Sequence, residues 1–86
     1  MPIISTFFGI IIRMYYGDHS PPHFHAEYQG QKATFDFDGK LLAGEIHSKR
    51  AKKLIQEWSQ LHKPELMVNW KCIEEGLSIN RVEPLD

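Results

Sequence analysis

The segment HFHAEYQGQKATFDF, residues 23–37, predicts a β-hairpin around which the rest of the fold can be assembled. Its two halves alternate apolar and polar residues on either side of Gln29-Gly30, a pair that suits a two-residue hairpin loop and sets Tyr28 opposite Gln31. In this register apolar residues meet on one face and polar residues on the other, so one face is predicted to be buried. The predicted pairs are Phe24–Phe35 and Ala26–Ala33 on the apolar face, and His23–Asp36, His25–Thr34 and Glu27–Lys32 on the polar face.

The segments on either side of the hairpin predict further strands. Residues 3–16 are rich in β-branched and aromatic side chains, and Gly9 interrupts them, which leaves two strands or one bent strand open. Residues 17–22 cannot continue a ladder because the two prolines among them lack an N–H. A second turn at residues 38–39 leaves room for a short strand over residues 40–46. In a strand from Ile10 to Tyr15 we expect Ile10, Ile12 and Met14 to face the core, and Arg13 and Tyr15 to face the polar side.

The C-terminal half predicts two amphipathic helices between residues 48 and 76. Ser48 is a suitable N-cap for the first helix, Pro64 suits the first turn of the second, and Gly76 is a suitable terminator. Apolar residues recur at helical spacing in both segments. The predicted apolar stripes are Ala51, Leu54, Ile55, Trp58 and Leu61 in the first helix, and Leu66, Met67, Trp70, Ile73 and Leu77 in the second.

Together these elements predict an α+β fold, in which a three- to five-stranded antiparallel sheet is covered on one face by a C-terminal αα-hairpin. We expect residues 1–86 to form a single domain, with a β-meander over residues 1–46 and an antiparallel helical hairpin over residues 48–76. Residues 79–85 are predicted to add an edge strand that Pro84 would end. The expected core joins Phe24, Phe35 and Phe37 of the sheet to Trp58 and Trp70 of the helices.

Composition limits the class of protein. Of 86 residues, 42% are hydrophobic and 24% are charged, which is typical of an ordinary globular chain. The net charge of −1 gives no overall attraction to nucleic acid, so any such binding needs a local patch. A single cysteine, Cys72, excludes an internal disulfide and a zinc site with several thiolates. The apolar run at residues 7–12 is too short to cross a membrane, and no signal-peptide pattern is visible, so a cytoplasmic location is expected.

The main candidate site is the motif DHSPPHFHAEY, residues 18–28, which places two histidines at alternate positions of a strand. Because such residues share a face, both imidazoles can reach one metal ion, and a carboxylate would complete a set that suits zinc or another divalent metal. The predicted ligands are His23, His25 and Asp36, with Glu27 or His19 as alternatives. The structural alternative is that these histidines bond to Asp36, Thr34 and the backbone and hold the loop.

The same residues also predict acid–base chemistry without a metal. His23 oriented by Asp36 could remove a proton, His25 could return one, and Arg13 could stabilise the charge of a phosphate. Such a set could cleave RNA through its 2′-hydroxyl group, with Tyr15 stacking on a base. The alternative is a hydrogen-bonded strand face with a salt bridge.

A second candidate is the cationic run Lys49, Arg50, Lys52 and Lys53, which we expect in the first helical turns. Cations at this end oppose the helix dipole, and the run could bind phosphates or an acidic partner, although a solvated basic face is the ordinary interpretation. Sequence-specific DNA binding is not expected, because the second helix carries three glutamates against a single lysine, Lys71.

Four segments of the chain also match the pattern of a known family: MPIISTFFGIIIRMYYGDHSPPHFHAEY, Glu57-Trp58, ELMVNW and Glu83-Pro84-Leu85. Through them the sequence resembles, over essentially the whole chain, the bacterial domain of unknown function 4160 family. It implies a small prokaryotic cytosolic protein, often encoded beside another small protein and therefore suspected to belong to toxin–antitoxin-like pairs; it implies no established reaction. The family tends to have a Leu-Pro step before the helix, where this chain has Ile46-His47-Ser48.

Two functions are therefore expected as alternatives. The first is a binding module that acts with a small partner protein encoded nearby, through its histidine-bearing sheet face or an exposed edge, with self-association as a homodimer also open. The second is a metal-assisted or histidine-based hydrolase of RNA or a small phosphate ester, with His23, His25, Asp36 and Arg13 as its working groups.

Overall fold

The computed structural model describes residues 2–86, which form an antiparallel sheet followed by two helices. The sheet has five strands in chain order, β1-β2-β3-β4-β5, so it is a meander. This confirms the predicted α+β fold. Five strands is the upper limit of the three to five that were predicted. The elements are β1 (Ile3–Phe7), β2 (Ile10–Arg13), β3 (His23–Tyr28), β4 (Gln31–Asp36), β5 (Leu41–Gly44), α1 (Lys49–Leu61) and α2 (Lys63–Glu75).

The β3–β4 hairpin has the predicted register throughout, from Tyr28 opposite Gln31 to His23 opposite Asp36. Gln29 and Gly30, the two loop residues, have φ angles of 49° and 80°. Positive φ at both loop residues is the geometry of a tight turn whose twist matches the flanking strands. The local loop therefore sets the register that places His23 opposite Asp36 and His25 opposite Thr34.

The segment before the hairpin forms two strands and not one bent strand, the two alternatives that the sequence left open. β1 and β2 are joined by a turn at Phe8 and Gly9, where φ is 49° and 80°. The second strand ends at Arg13, two residues earlier than predicted. As predicted, Ile10, Ile12 and Met14 are fully buried.

The helices begin and end at the predicted signals. The Ser48 hydroxyl accepts a hydrogen bond from the Ala51 N–H, and Gly76 ends α2 with a left-handed backbone conformation. Pro64 lies in the first turn of α2, where its missing N–H costs nothing. Within residues 2–86, no helix has the length and apolarity that crossing a membrane requires.

The apolar stripes of the helices were only partly right. Leu61 is 64% exposed and Met67 is 47% exposed, and Leu77 lies beyond the end of α2 and is exposed. Ser59 and Asn69 are buried instead, so the buried face of each helix includes a polar residue that the apolar pattern did not predict.

The core lies between one face of the sheet and both helices. Trp58 of α1 packs against Phe7 and Phe24, with ring centroids 5.4 and 5.5 Å apart, and Trp70 of α2 packs against Phe37 at 6.2 Å. This confirms that the predicted aromatic residues meet. The opposite face of the sheet is left for polar side chains.

The predicted edge strand over residues 79–85 is not formed. The segment lies beside β1, where the Val82 N–H donates to the Ile4 carbonyl at 2.8 Å. Several of its other backbone groups bond to side chains instead: the Asn69 amide bonds both the N–H and the carbonyl of Asn80, and the Trp58 indole N–H donates to the Glu83 carbonyl. Side-chain partners thus replace the ladder that a strand would need.

Candidate functional site

A cluster of Asp18, His23 and His25 lies at the end of the sheet where β3 begins. The two histidines share a face because they are two residues apart on the strand. Asp18 comes from the loop before β3, and its Oδ2 atom lies 3.1 Å from Nε2 of His23 and 3.0 Å from Nε2 of His25. One ligand atom from each side chain lies within 4.8 Å of the other two. A single carboxylate oxygen therefore faces both imidazole rings.

The hydrogen bonds of His23 restrict what can lie between it and Asp18. Its Nδ1 atom is 2.7 Å from the Pro21 carbonyl oxygen, which can only accept, so this nitrogen carries the proton. In a neutral ring the Nε2 atom would then present a lone pair to the Asp18 oxygen. Two acceptors at 3.1 Å repel each other, and a proton or a cation shared between the two groups would remove this repulsion.

This arrangement matches the way proteins orient a metal-binding histidine. A ligating imidazole usually donates its other N–H to a carbonyl or carboxylate, which fixes the tautomer and the ring orientation. Here the Pro21 carbonyl supplies that acceptor for His23.

His25 is held by two neighbours on the polar face. Its Nδ1 atom is 3.4 Å from the Thr34 hydroxyl, which can donate or accept, and the Tyr15 ring contacts it edge-on with centroids 4.5 Å apart. At the other side of the cluster, the His23 ring lies 5.3 Å from the Trp70 ring of α2. Both imidazoles are thus packed against aromatic rings, which restricts their rotation.

Two of the three distances between ligand atoms, those from Asp18 to each histidine, are close to what a tetrahedral metal needs. Ligands at about 2.0–2.1 Å from zinc lie about 3.3–3.4 Å from one another, so the distances around Asp18 would change by only a few tenths of an ångström. The His23 side chain is 13% exposed and that of His25 is 31% exposed, so the cluster is sheltered but open to solvent. Three protein ligands and an open fourth position are typical of catalytic rather than structural zinc sites.

Asp36, the predicted carboxylate of the site, is not part of the cluster. It lies opposite His23 as predicted, but its Oδ1 atom accepts hydrogen bonds from the backbone N–H groups of Asp38 and Lys40, both at 2.9 Å. The carboxylate therefore closes the β4–β5 turn. Asp18 takes its place, although the sequence placed Asp18 only at the start of the motif.

Neither predicted alternative ligand belongs to the cluster. The Glu27 carboxylate accepts a hydrogen bond from Arg13 at 2.6 Å, and His19 is an exposed loop residue. The structure thus brings His23 and His25 together, as their strand spacing predicted, and groups them with Asp18 rather than with Asp36. The predicted turn at Asp38-Gly39 was a signal against Asp36 as a metal ligand, because an Asp that precedes a turn often bonds the backbone N–H two residues further on.

Arg13 and Tyr15 are brought next to the cluster, as the strand pattern predicted. Arg13 lies opposite His25 across the β2–β3 ladder. A cavity of about 110 Å³ adjoins His25, and it is lined by Arg13, Tyr15, His25, Ala26, Glu27, Lys32, Ala33 and Thr34. Lys32 has no ion pair with any carboxylate of residues 2–86, so two cations face this cavity against the one carboxylate of Glu27. The cavity therefore favours an anion.

The cationic run on α1 is separate from the histidines. Arg50 lines a cleft with Tyr28, at the opposite end of β3 from His23. A strand of six residues spans roughly 20 Å, so Lys49, Arg50, Lys52 and Lys53 do not join the cluster. Two surfaces with different chemistry are present.

These features define a small α+β protein with an Asp–His–His cluster at one end of the central strand of its sheet. The family model described as domain of unknown function (DUF4160) matches residues 9–71, which include the whole cluster. The chain belongs to this family, as the resemblance of its sequence indicated. No curated protein and no solved structure matches the chain.

Proposed function

We propose that this protein binds a divalent transition metal, zinc foremost, through Asp18, His23 and His25 and uses it to hydrolyse phosphate esters. The observation that carries the proposal is the carboxylate oxygen of Asp18, which faces the Nε2 atoms of both histidines while the Nδ1 proton of His23 is already donated to a carbonyl. Nitrogen and oxygen ligands of this kind suit zinc and its neighbours in the first transition row.

The surroundings of the cluster supply the rest of the chemistry. A metal with three protein ligands retains a position for water and makes that water a nucleophile near neutral pH. The anion-favouring cavity beside His25 would receive the phosphate, with Arg13 and Lys32 stabilising the charge that develops on its oxygens. RNA is one such ester, and Tyr15 offers an aromatic ring at the edge of the cavity.

The test combines metal content with hydrolysis. Untagged protein from metal-replete cultures should contain near-stoichiometric metal by elemental analysis and should cleave bis(p-nitrophenyl) phosphate or a short RNA. Asp18→Asn and His25→Ala should lose both metal and activity while circular dichroism shows an intact fold. His47→Ala is the matched control, because this exposed imidazole pairs only with Glu45.

Two results would overturn the metal proposal. Metal-free wild-type protein would remove it, and activity that survives chelation but is lost in His25→Ala would assign the reaction to the histidines alone. Arg13→Gln tests substrate binding independently of metal binding, since it should raise KM and leave the metal content unchanged.

A second function, binding of a partner protein as in a toxin–antitoxin-like pair, is favoured by the free edge of the sheet. All four residues of β5 are exposed, and they include Leu41 and Leu42. The opposite edge is partly occupied by the C-terminal segment at Val82, so β5 is the edge that an added strand would reach. Co-purification with the product of the adjacent gene, abolished by Leu42→Pro, would support this function; a complex that survives the substitution would exclude this edge.

A further inference from the structure

A cleft of about 250 Å³ lies between the β1–β2 turn and the beginning of α1. An apolar cavity of about 150 Å³ is large enough to hold benzene, so this cleft can accept a bulky side chain. Its lining combines aliphatic and aromatic side chains with one cation: Phe8, Ile10, Tyr28, Arg50, Ala51 and Leu54. None of these residues belongs to the Asp–His–His cluster.

Phe8 forms one wall of the cleft, although the backbone conformation of the β1–β2 turn is unfavourable for a bulky residue at this position. Phe8 has a φ angle of 49° and is 52% exposed. Asn or Gly is the usual choice for a left-handed loop position, and a bulky aromatic residue there is uncommon. The hairpin would fold at least as well without this ring, so its presence points to a role outside the fold.

One cation, Arg50, lines the cleft, and three lysines lie near it along the same helix. Lys49, Arg50, Lys52 and Lys53 lie in the first two turns of α1, which has no acidic residue in its first turn. None of the four pairs with a carboxylate anywhere in residues 2–86. Since the chain as a whole has a net charge of −1, this is a local positive patch beside an apolar cleft. A ligand that matches both features is anionic and carries an apolar group.

We propose that this cleft binds an acidic peptide segment of a partner protein, which inserts one bulky apolar side chain beside Phe8 and Leu54. The acidic residues of the segment face Arg50 and the neighbouring lysines. A peptide side chain fits better than a nucleobase, because Ile10, Ala51 and Leu54 are aliphatic and only Tyr28 and Arg50 offer hydrogen-bonding groups to a base edge. Binding here requires neither a metal ion nor strand addition at β5.

Fluorescence anisotropy with a labelled synthetic peptide tests the proposal. The probe is a short Glu/Gly peptide with a single central Trp, and its matched control has Ser in place of Trp. The wild-type protein should bind the Trp peptide more tightly, and Phe8→Asn and Arg50→Gln should each weaken binding about tenfold, the loss expected for an anchoring contact. Arg81→Gln, an exposed cation outside the cleft, and His25→Ala should bind as the wild type does.

The variants are chosen so that misfolding does not decide the result. Asn suits the left-handed position of Phe8, and Arg50 is exposed, so both variants should keep the wild-type circular dichroism spectrum. Equal binding of the Trp and Ser peptides, or unchanged binding by Phe8→Asn, would overturn the proposal. So would a single-stranded RNA that displaces the peptide and binds more tightly, since the patch would then be a nucleic-acid surface.

Discussion

Zinc should raise the free energy of unfolding of this protein, because only the folded chain brings Asp18, His23 and His25 within 4.8 Å of one another. The Asp18 oxygen is already close to its metal-bound distance from both histidine nitrogens, at 3.0 and 3.1 Å. Binding therefore needs little rearrangement of the fold. The perturbation is the addition of zinc to the wild-type protein and to Asp18→Asn.

The size of the effect follows from linkage. A ligand that binds only the folded state stabilises it by about 2.7 kcal/mol when its free concentration is about 100 times Kd. For a domain of this length, each kcal/mol moves the thermal midpoint by about 4–8 °C, so the expected shift is roughly 11–22 °C. In Asp18→Asn the shift should fall to a small fraction of this, because the neutral amide is a far poorer ligand than the carboxylate.

The assay is thermal unfolding followed by circular dichroism over a zinc titration. His47→Ala and His19→Ala are the controls, since both remove an exposed imidazole outside the cluster and should keep the full shift. An unchanged midpoint in saturating zinc, or an equal shift in Asp18→Asn, would refute the reasoning that the cluster is a preformed metal site.

Four further predictions concern stability and can be measured by urea unfolding. Gly44→Ala should destabilise the protein by more than about 3 kcal/mol, because φ is +77° and the added Cβ would lie 2.4 Å from a backbone oxygen of β4. Gly30→Ala should cost only about 1–2 kcal/mol, since φ is +80° but nothing lies within 4 Å; equal losses would contradict the clash. Ser5→Ala should be neutral or stabilising by up to about 1 kcal/mol, because the buried hydroxyl has no hydrogen-bond partner among residues 2–86, and a clear loss would show that it has one. Asn69→Ala should cost about 2 kcal/mol and speed amide exchange near Asn80, whose backbone groups it leaves unpaired; unchanged exchange would show that the C-terminal segment is held elsewhere.

The hairpin register was predictable because its causes are local. Gln29 and Gly30 determine a two-residue loop, and every side chain beyond the loop alternates between the two faces. The same reasoning placed Arg13 on the face of His25, although the loop between β2 and β3 is too long to set their alignment. The ladder itself supplied that alignment.

The helices show where local reasoning stops. Ser48 and Gly76 mark helix ends because caps bond to backbone groups a few residues away. Which face of α2 is buried depends on Asn69, whose burial is favourable only because its amide bonds the backbone of Asn80. A polar side chain looks exposed in the sequence until its distant partner is known.

The sequence by itself determined the hairpin, the shared face of His23 and His25 and the ends of both helices, because each depends on backbone geometry or on contacts with near neighbours. Only the tertiary structure decided which carboxylate joins the histidines. Asp36 was the neighbour across the strands, but two turn N–H groups bond to it, and the folded loop brings Asp18 to both rings instead. Which groups a carboxylate bonds to depends on their positions in the folded structure, and the number of residues between them in the sequence does not specify those positions.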